Sequence, residues 1–266
     1  MDKIFRVAAV QMDCAAYEPE RNFATAERLL QNAAARGAVL AVLPELFNTG
    51  YRVEDRDREL AHPVPGAVTE RMSAIGRTLD MFIAGAVIER DGERLYDTAI
   101  LVGPDGFVGS YRKNNLWARE VERFARGETL PVHDIGFCRL GLQICYDIGF
   151  PEGARILSIQ GADIVAYTSA FGMARLYAWD LASRARALEN GSYVIACNRC
   201  GVEKGETQFA GASRIIGPRG NVLASAGDGE DVIVAEVDFG EMRKQRSALP
   251  YLKNLRRDIA ASYYRA

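Results

Sequence analysis

At 266 residues, 48% of them hydrophobic, the chain can bury one large core, and a single α/β domain spanning residues 1–266 accounts for it. Its 33 basic and 35 acidic residues leave a formal charge of −2, and no dense basic run is interleaved with aromatics, which argues against a nucleic-acid partner. No apolar run approaches the roughly 20 residues of a membrane span, and Asp2 and Lys3 lead straight into an apolar strand without a leader-like segment, so a cytoplasmic protein away from the membrane is expected.

In chain order, Val7-Ala-Ala-Val-Gln-Met12 opens as an apolar strand. From Pro19 to Arg36 the residues Phe23, Ala26, Leu29, Leu30 and Ala33 fall on one face of a predicted helix. Val39-Leu-Ala-Val-Leu-Pro-Glu45 is a continuous apolar run that ends in an acid where a buried strand would emerge. A second helix is predicted from Val68 to Asp80, then a strand from Met81 to Ile88. Gly103-Pro-Asp-Gly106 and Gly217-Pro-Arg-Gly220 are matching hairpin turns between apolar strands, which suggests two related halves. After the first hairpin, Val108-Gly-Ser-Tyr-Arg-Lys113 delivers a cation at its end. Gly141-Leu-Gln-Ile-Cys145 then stops at a thiol, and a helix led by Pro151 follows to about Gly161. At such a strand-to-helix turn, free backbone N–H groups and the helix dipole favour thiolate and a developing oxyanion. Asp163 to Ser169 reads as a strand, and Leu176 to Asn190 as a helix capped by Gly191.

Taken singly, Cys145 fits buried core, and Glu45 and Lys113 fit solvated strand ends. Taken together they are a thiol, an acid and a cation at the carboxyl ends of strands, where open α/β sheets place their chemistry. Hydrolysing an unactivated amide needs a strong nucleophile, a proton shuttle for the leaving amine and donors for the tetrahedral oxyanion. A histidine usually shuttles, but His62 lies in a Pro-rich loop and His133 beside Asp134, neither on a recognisable catalytic element. Glu45 is the expected shuttle, best served if burial raises its pKa. Lys113 and the Tyr146 backbone N–H are the expected oxyanion donors.

Five segments in this order make the chain similar to the nitrilase superfamily, the carbon–nitrogen hydrolases: Val7 to Met12, Leu43-Pro-Glu-Leu-Phe-Asn-Thr-Gly-Tyr51, Tyr111-Arg-Lys113, Cys145-Tyr-Asp147 with Phe150-Pro-Glu152, and Arg186-Ala-Leu-Glu-Asn190. The resemblance covers nearly the whole chain. It implies a four-layer α-β-β-α sandwich, catalytic Glu45, Lys113 and Cys145, no cofactor, and a homodimer formed through the helices after the nucleophile strand. It also implies a second glutamate shortly after the lysine. Glu120 suits that role because Phe124 and Gly127 keep the spacing, with Glu122 as its rival. The tail beyond Asp238, with Tyr251, Leu252, Leu255, Ile259, Tyr263 and Tyr264, packs either across a partner subunit or within the chain.

Tyr146-Asp147 after the nucleophile, where nitrilases of the family carry Trp-Glu, points to the amidase and carbamoylase branches and thus to a small amide substrate. Ile148 and Gly149 stand where acid-recognising members have arginine, which favours a neutral or cationic amide over an ω-amide or carbamoyl amino acid. Asn115 departs from a common histidine and leaves the local hydrogen bonding open. Tyr51, Trp117, Tyr146, Phe171, Met173 and Trp179 are candidate pocket walls. Five cysteines without paired spacing suit a reducing cytoplasm, and Cys197-Asn-Arg-Cys200 lacks two further zinc ligands, so no metal is expected. The same acyl-enzyme could be intercepted by an acceptor other than water, which leaves acyl transfer as a further reading.

Overall fold

The computed structural model describes residues 4–259. In chain order the strands are β1 (Ile4–Gln11), β2 (Ala38–Val42), β3 (Phe82–Asp91), β4 (Arg94–Gly103), β5 (Gly106–Arg112), β6 (Val132–Asp134), β7 (Arg139–Ile144), β8 (Ile164–Ser169), β9 (Tyr193–Asn198), β10 (Val202–Glu203), β11 (Thr207–Gln208), β12 (Arg214–Ile216), β13 (Val222–Ser225) and β14 (Asp231–Asp238). The helices are α1 (Pro19–Ala35), α2 (Asp57–Leu60), α3 (Ala67–Leu79), α4 (Glu120–Arg123), α5 (Pro151–Ile159), α6 (Leu176–Asn190), α7 (Phe239–Ala248) and α8 (Tyr251–Asn254).

Two six-stranded sheets have the orders β14-β1-β2-β3-β4-β5 and β13-β12-β9-β8-β7-β6. Each is built on one plan. Three parallel strands, β1, β2 and β3 or β7, β8 and β9, form the centre. An antiparallel hairpin, β4–β5 or β12–β13, extends one side, and a single antiparallel strand, β14 or β6, closes the other. The two Gly-Pro-Xaa-Gly turns join the paired hairpin strands in corresponding places, as two related halves require.

Alternation of side chains explains the layering. On β1, Val7 and Ala9 face inward and join Leu40, Ala84, Leu142 and Ile144 in the core between the sheets. Ala8 and Val10 face outward onto Phe23 and Leu30 of α1 and Met72 of α3. With both faces covered, the central strands read as near-continuous apolar runs rather than as alternating ones. On the second sheet, α5 packs on β7 and α6 on β9, which completes the α-β-β-α sandwich.

Helix boundaries follow local chemistry. Pro19 opens α1, and the five residues expected on its core face are all buried. Gly191, left-handed at φ 54°, closes α6. Strand β3 runs three residues past Ile88, to Asp91. In the tail, α7 follows β14 directly and α8 packs against α6 of the same chain. Asp2, Lys3, Tyr263 and Tyr264 lie outside the described residues.

Candidate active site

Glu45, Lys113 and Cys145 each follow the end of a strand, β2, β5 and β7. Beyond β2, Leu43 N–H donates to the Ala84 carbonyl at 2.7 Å and Phe47 N–H to that of Ala86 at 3.2 Å, so the segment bearing Glu45 stays laced to β3. Lys113 follows β5, and its N–H still donates to the Asp97 carbonyl on β4 at 2.9 Å. Gly127 then passes close beneath it: its N–H donates to the Lys113 carbonyl at 2.9 Å. A Cβ on Gly127 would fall 2.1 Å from the Arg112 carbonyl oxygen, so the chain that carries Glu120 back to β5 admits only glycine there.

Cys145 ends β7 with φ at 42°, in the left-handed region that non-glycine residues rarely occupy. Such a position costs about 1–3 kcal/mol and persists only where its surroundings hold it. Asp147, fully buried, supplies that hold. Its Oδ2 accepts from Ile144 N–H at 3.0 Å and from the Tyr111 hydroxyl at 2.8 Å, while Oδ1 accepts from the backbone and side-chain amides of Asn115 at 3.0 and 2.9 Å. The departure at Asn115 therefore retains a hydrogen bond to the nucleophile turn. A 3₁₀ turn over Cys145–Gly149 joins the thiol to α5, which opens at Pro151 as the sequence suggested.

Lys113 stands at the centre of a buried charge cluster. Its Nζ lies 2.6 Å from Glu45 Oε1, 2.8 Å from Glu120 Oε2 and 3.4 Å from Asp97 Oδ2. All four side chains are at most 2% exposed. Glu45 Oε2 accepts from Ala170 N–H at 2.8 Å, and Glu120 accepts from the Tyr51 hydroxyl at 2.6 Å and from Trp117 N–H at 2.7 Å. Burial alone would depress the lysine, but Glu45, Glu120 and Asp97 outweigh it and hold the ammonium well above its usual range. Burial, reinforced by Glu45, drives the Asp97 carboxyl well above the usual carboxylate range. The same two causes push the Cys145 thiol up, against a smaller opposing pull from Lys113. The thiolate expected from the strand-to-helix setting is thus not the resting form.

Cys145 opens onto a cavity of about 320 Å³. Tyr51, Trp117, Tyr146 and Phe171 all line it, as do Ile148, Gly149, Ala170 and Phe209. Tyr146 stacks edge-on between Trp117 and Phe150, with ring centroids 4.8 and 5.1 Å away. Two candidate walls lie elsewhere. Trp179 is fully buried behind Phe171, its indole N–H donating to the Ala212 carbonyl at 2.9 Å, and Met173 is not part of the lining. Glu122 is exposed and pairs with Arg119 at 3.0 Å, outside the cluster. Among the described residues, Glu45, Asp97 and Glu120 converge closely enough to hold a metal ion, but Lys113 Nζ already sits against all three.

Three charged residues at the site escaped sequence reasoning. Asp97 breaks the apolar run Leu95-Tyr-Asp-Thr-Ala-Ile-Leu-Val102, and an acid inside a buried strand was the available signal. Arg52 and Arg175 line the cavity from loops, where nothing in the sequence separates them from solvated cations.

A sandwich of two like sheets, with a buried lysine, acids and a thiol where strands end, defines an α/β enzyme scaffold. The carbon–nitrogen hydrolase family matches residues 6–247. The chain is 39% identical over 264 residues to a protein named Nitrilase from Pyrococcus abyssi, covering 97% of this chain and 98% of that one. It is 34% identical over 267 residues to Omega-amidase NIT2 of Xenopus tropicalis, covering 96% of each. The crystal structure of Saccharomyces cerevisiae Nit3, a nitrilase-superfamily member, superposes with a TM-score of 0.89 at 29% identity, over 96% of this chain and 97% of that one. The protein belongs to the carbon–nitrogen hydrolase family, within the nitrilase superfamily.

Proposed function

We propose that the protein is an amidase that hydrolyses the C–N bond of a small linear carboxamide through a thioester on Cys145. The observation that carries this reading is the Lys113 ammonium clamped by Glu45 and Glu120 beside a buried thiol that opens on a small cavity. Similarity to an omega-amidase supports it.

In this mechanism Cys145 Sγ attacks the amide carbon while Glu45 takes the thiol proton. Because the resting thiol is held protonated, transfer to Glu45 accompanies attack. The oxyanion is met by the Lys113 ammonium and the Tyr146 N–H, preorganised donors in a water-poor site. Collapse breaks the C–N bond, Glu45 returns the proton to the nitrogen, and ammonia leaves. Water then attacks the thioester with Glu45 again accepting its proton, which releases the carboxylic acid and restores the thiol. Glu120 positions Lys113 and, through Tyr51 and Trp117, the cavity wall.

Two features of assembly and setting belong to the same reading. Tyr177, Leu181 and Leu188 on α6 and Ile156 on α5 are exposed apolar residues, and we assign this face to a second copy in a homodimer. All five cysteines are buried free thiols, which suits a reducing cytoplasm.

Ammonia and carbon dioxide release from short amides, N-carbamoyl amines and nitriles, with Cys145→Ala as control, tests the reaction. Ammonia without carbon dioxide from amides is expected. Carbon dioxide from carbamoyl compounds would make the protein a carbamoylase. Turnover of nitriles alone would make it a nitrilase.

A further inference from the structure

Asp97, on β4, stands apart from the other buried acids among the described residues. Glu45, Asp57, Glu89, Glu120, Asp147 and Glu203 each accept hydrogen bonds from N–H or O–H donors. Both carboxyl oxygens of Asp97 are buried and accept none. An ionised carboxylate held out of water without a donor is costly, whereas the neutral acid needs only an acceptor for its own O–H.

The donors of Lys113 point the same way. An ammonium has three N–H groups. Glu45 Oε1 takes one at 2.6 Å, and the two Glu120 oxygens, at 2.9 and 2.8 Å, take another. Asp97 Oδ2, at 3.4 Å, lies beyond the reach of about 2.7–2.9 Å usual for an ammonium–carboxylate hydrogen bond, so the third N–H is not committed to it. As an anion Asp97 would compete for that donor; as a neutral acid it leaves the donor to the oxyanion.

An acceptor for the Asp97 O–H is at hand. Oxygens of Glu45, Asp97 and Glu120 lie within 4.8 Å of one another. Each Glu120 oxygen already meets two donors, Oε1 those of Tyr51 and Lys113 and Oε2 those of Trp117 and Lys113. Each Glu45 oxygen meets one, Oε1 that of Lys113 and Oε2 that of Ala170. Hydrogen bonding to Glu45 is also among the causes that hold a proton on Asp97.

We propose that Asp97 works as a neutral acid that donates its O–H to Glu45, orienting the shuttle carboxylate and leaving the third N–H of Lys113 for the oxyanion. This rests on the amidase reading. The proton stays on Asp97 through turnover. Asp97 does not line the cavity, so it is a positioning residue that acts through Glu45 and Lys113.

The test measures kcat and KM on a short amide for wild type, Asp97→Asn and Asp97→Leu, and infrared spectra of wild type and Asp97→Asn at pH 7. Asp97→Asn is neutral and still offers a donor, so it should keep kcat/KM within about fivefold. Asp97→Leu fills the space without a donor and should lose roughly 10²-fold, mainly in kcat, the scale set by one positioned polar group. The infrared difference should show the C=O stretch of a protonated carboxyl group, above the amide band, present in wild type and missing from Asp97→Asn. A loss in Asp97→Asn as deep as in Asp97→Leu would mean that the negative charge matters, and would overturn the assignment. So would full activity in Asp97→Leu, or the absence of the carboxyl band, which is read without turnover. No ammonia from wild type on any amide would instead overturn the amidase reading, with the band still deciding the state of Asp97.

Discussion

One ammonium faces three carboxyl groups in a space closed to water, and Lys113 cannot balance Glu45, Asp97 and Glu120 together unless a proton is retained. Burial and its acidic neighbour Glu45 drive Asp97 towards the neutral acid. An unfolded aspartate titrates near 3.9, so the raised folded value contributes stability in full below that pH and loses it as pH rises towards the folded pKa. Asp97→Asn keeps the shape without the charge. Its stability relative to wild type, from urea midpoints, is expected to increase as pH rises from about 4 to 8; a flat or falling difference would contradict a neutral Asp97. Glu120→Gln should lower kcat/KM by roughly 10²-fold as a positioned polar group is lost. Glu122→Gln, on an exposed ion pair, should stay within about twofold. Equal effects would return Glu122 to contention. Glu45 and Cys145 were legible because each ends an apolar run, and Lys113 because it ends the short strand after the first hairpin. Asp97 was not, since its meaning depends on β4 and β5 bringing it against Lys113, and Arg175 precedes a helix as many solvated cations do.

Among the elements, the loop from β5 through α4 does most to assemble the site, because it carries Trp117 and Glu120 and returns through Gly127. Gly127→Ala would place a methyl against the Arg112 carbonyl and push the Lys113 peptide aside. A loss of about 1–3 kcal/mol, the cost of overpacking a tight contact, is expected in chemical denaturation, together with reduced kcat/KM. Unchanged stability would mean that the loop relaxes freely and does not register Lys113 against Glu120. The long helices were readable to within a residue, from Pro19 at the start of α1 and from Gly191 at the end of α6. Strands β10 and β11 and helix α2 were not, because two to four residues carry too little periodicity to separate strand, helix and turn.

For the whole molecule, the repeated sheet plan explains why the reactive groups meet. Glu45 follows the middle parallel strand of one sheet, Cys145 follows a parallel strand of the other, and Ala170 beyond β8 binds Glu45 across the junction. Two Gly-Pro-Xaa-Gly turns were enough to suggest this duplication, but the face-to-face packing came from the resemblance, since periodicity does not say which sheets stack. The exposed stripe on α6 carries the assembly claim. Leu181→Asp, 70% exposed in the single chain, should leave the fold intact yet shift the protein to monomer in light scattering. A wild type that is already monomeric would remove the homodimer from the account.

The central claim is a covalent acyl-enzyme on Cys145. Intact-mass spectrometry of wild type and Cys145→Ala, acid-quenched during turnover of a short amide, tests it most directly. The account predicts a mass increase equal to the acyl group, localised to the peptide that holds Cys145 in wild type, and neither adduct nor ammonia from Cys145→Ala. Sustained ammonia release by Cys145→Ala would contradict it.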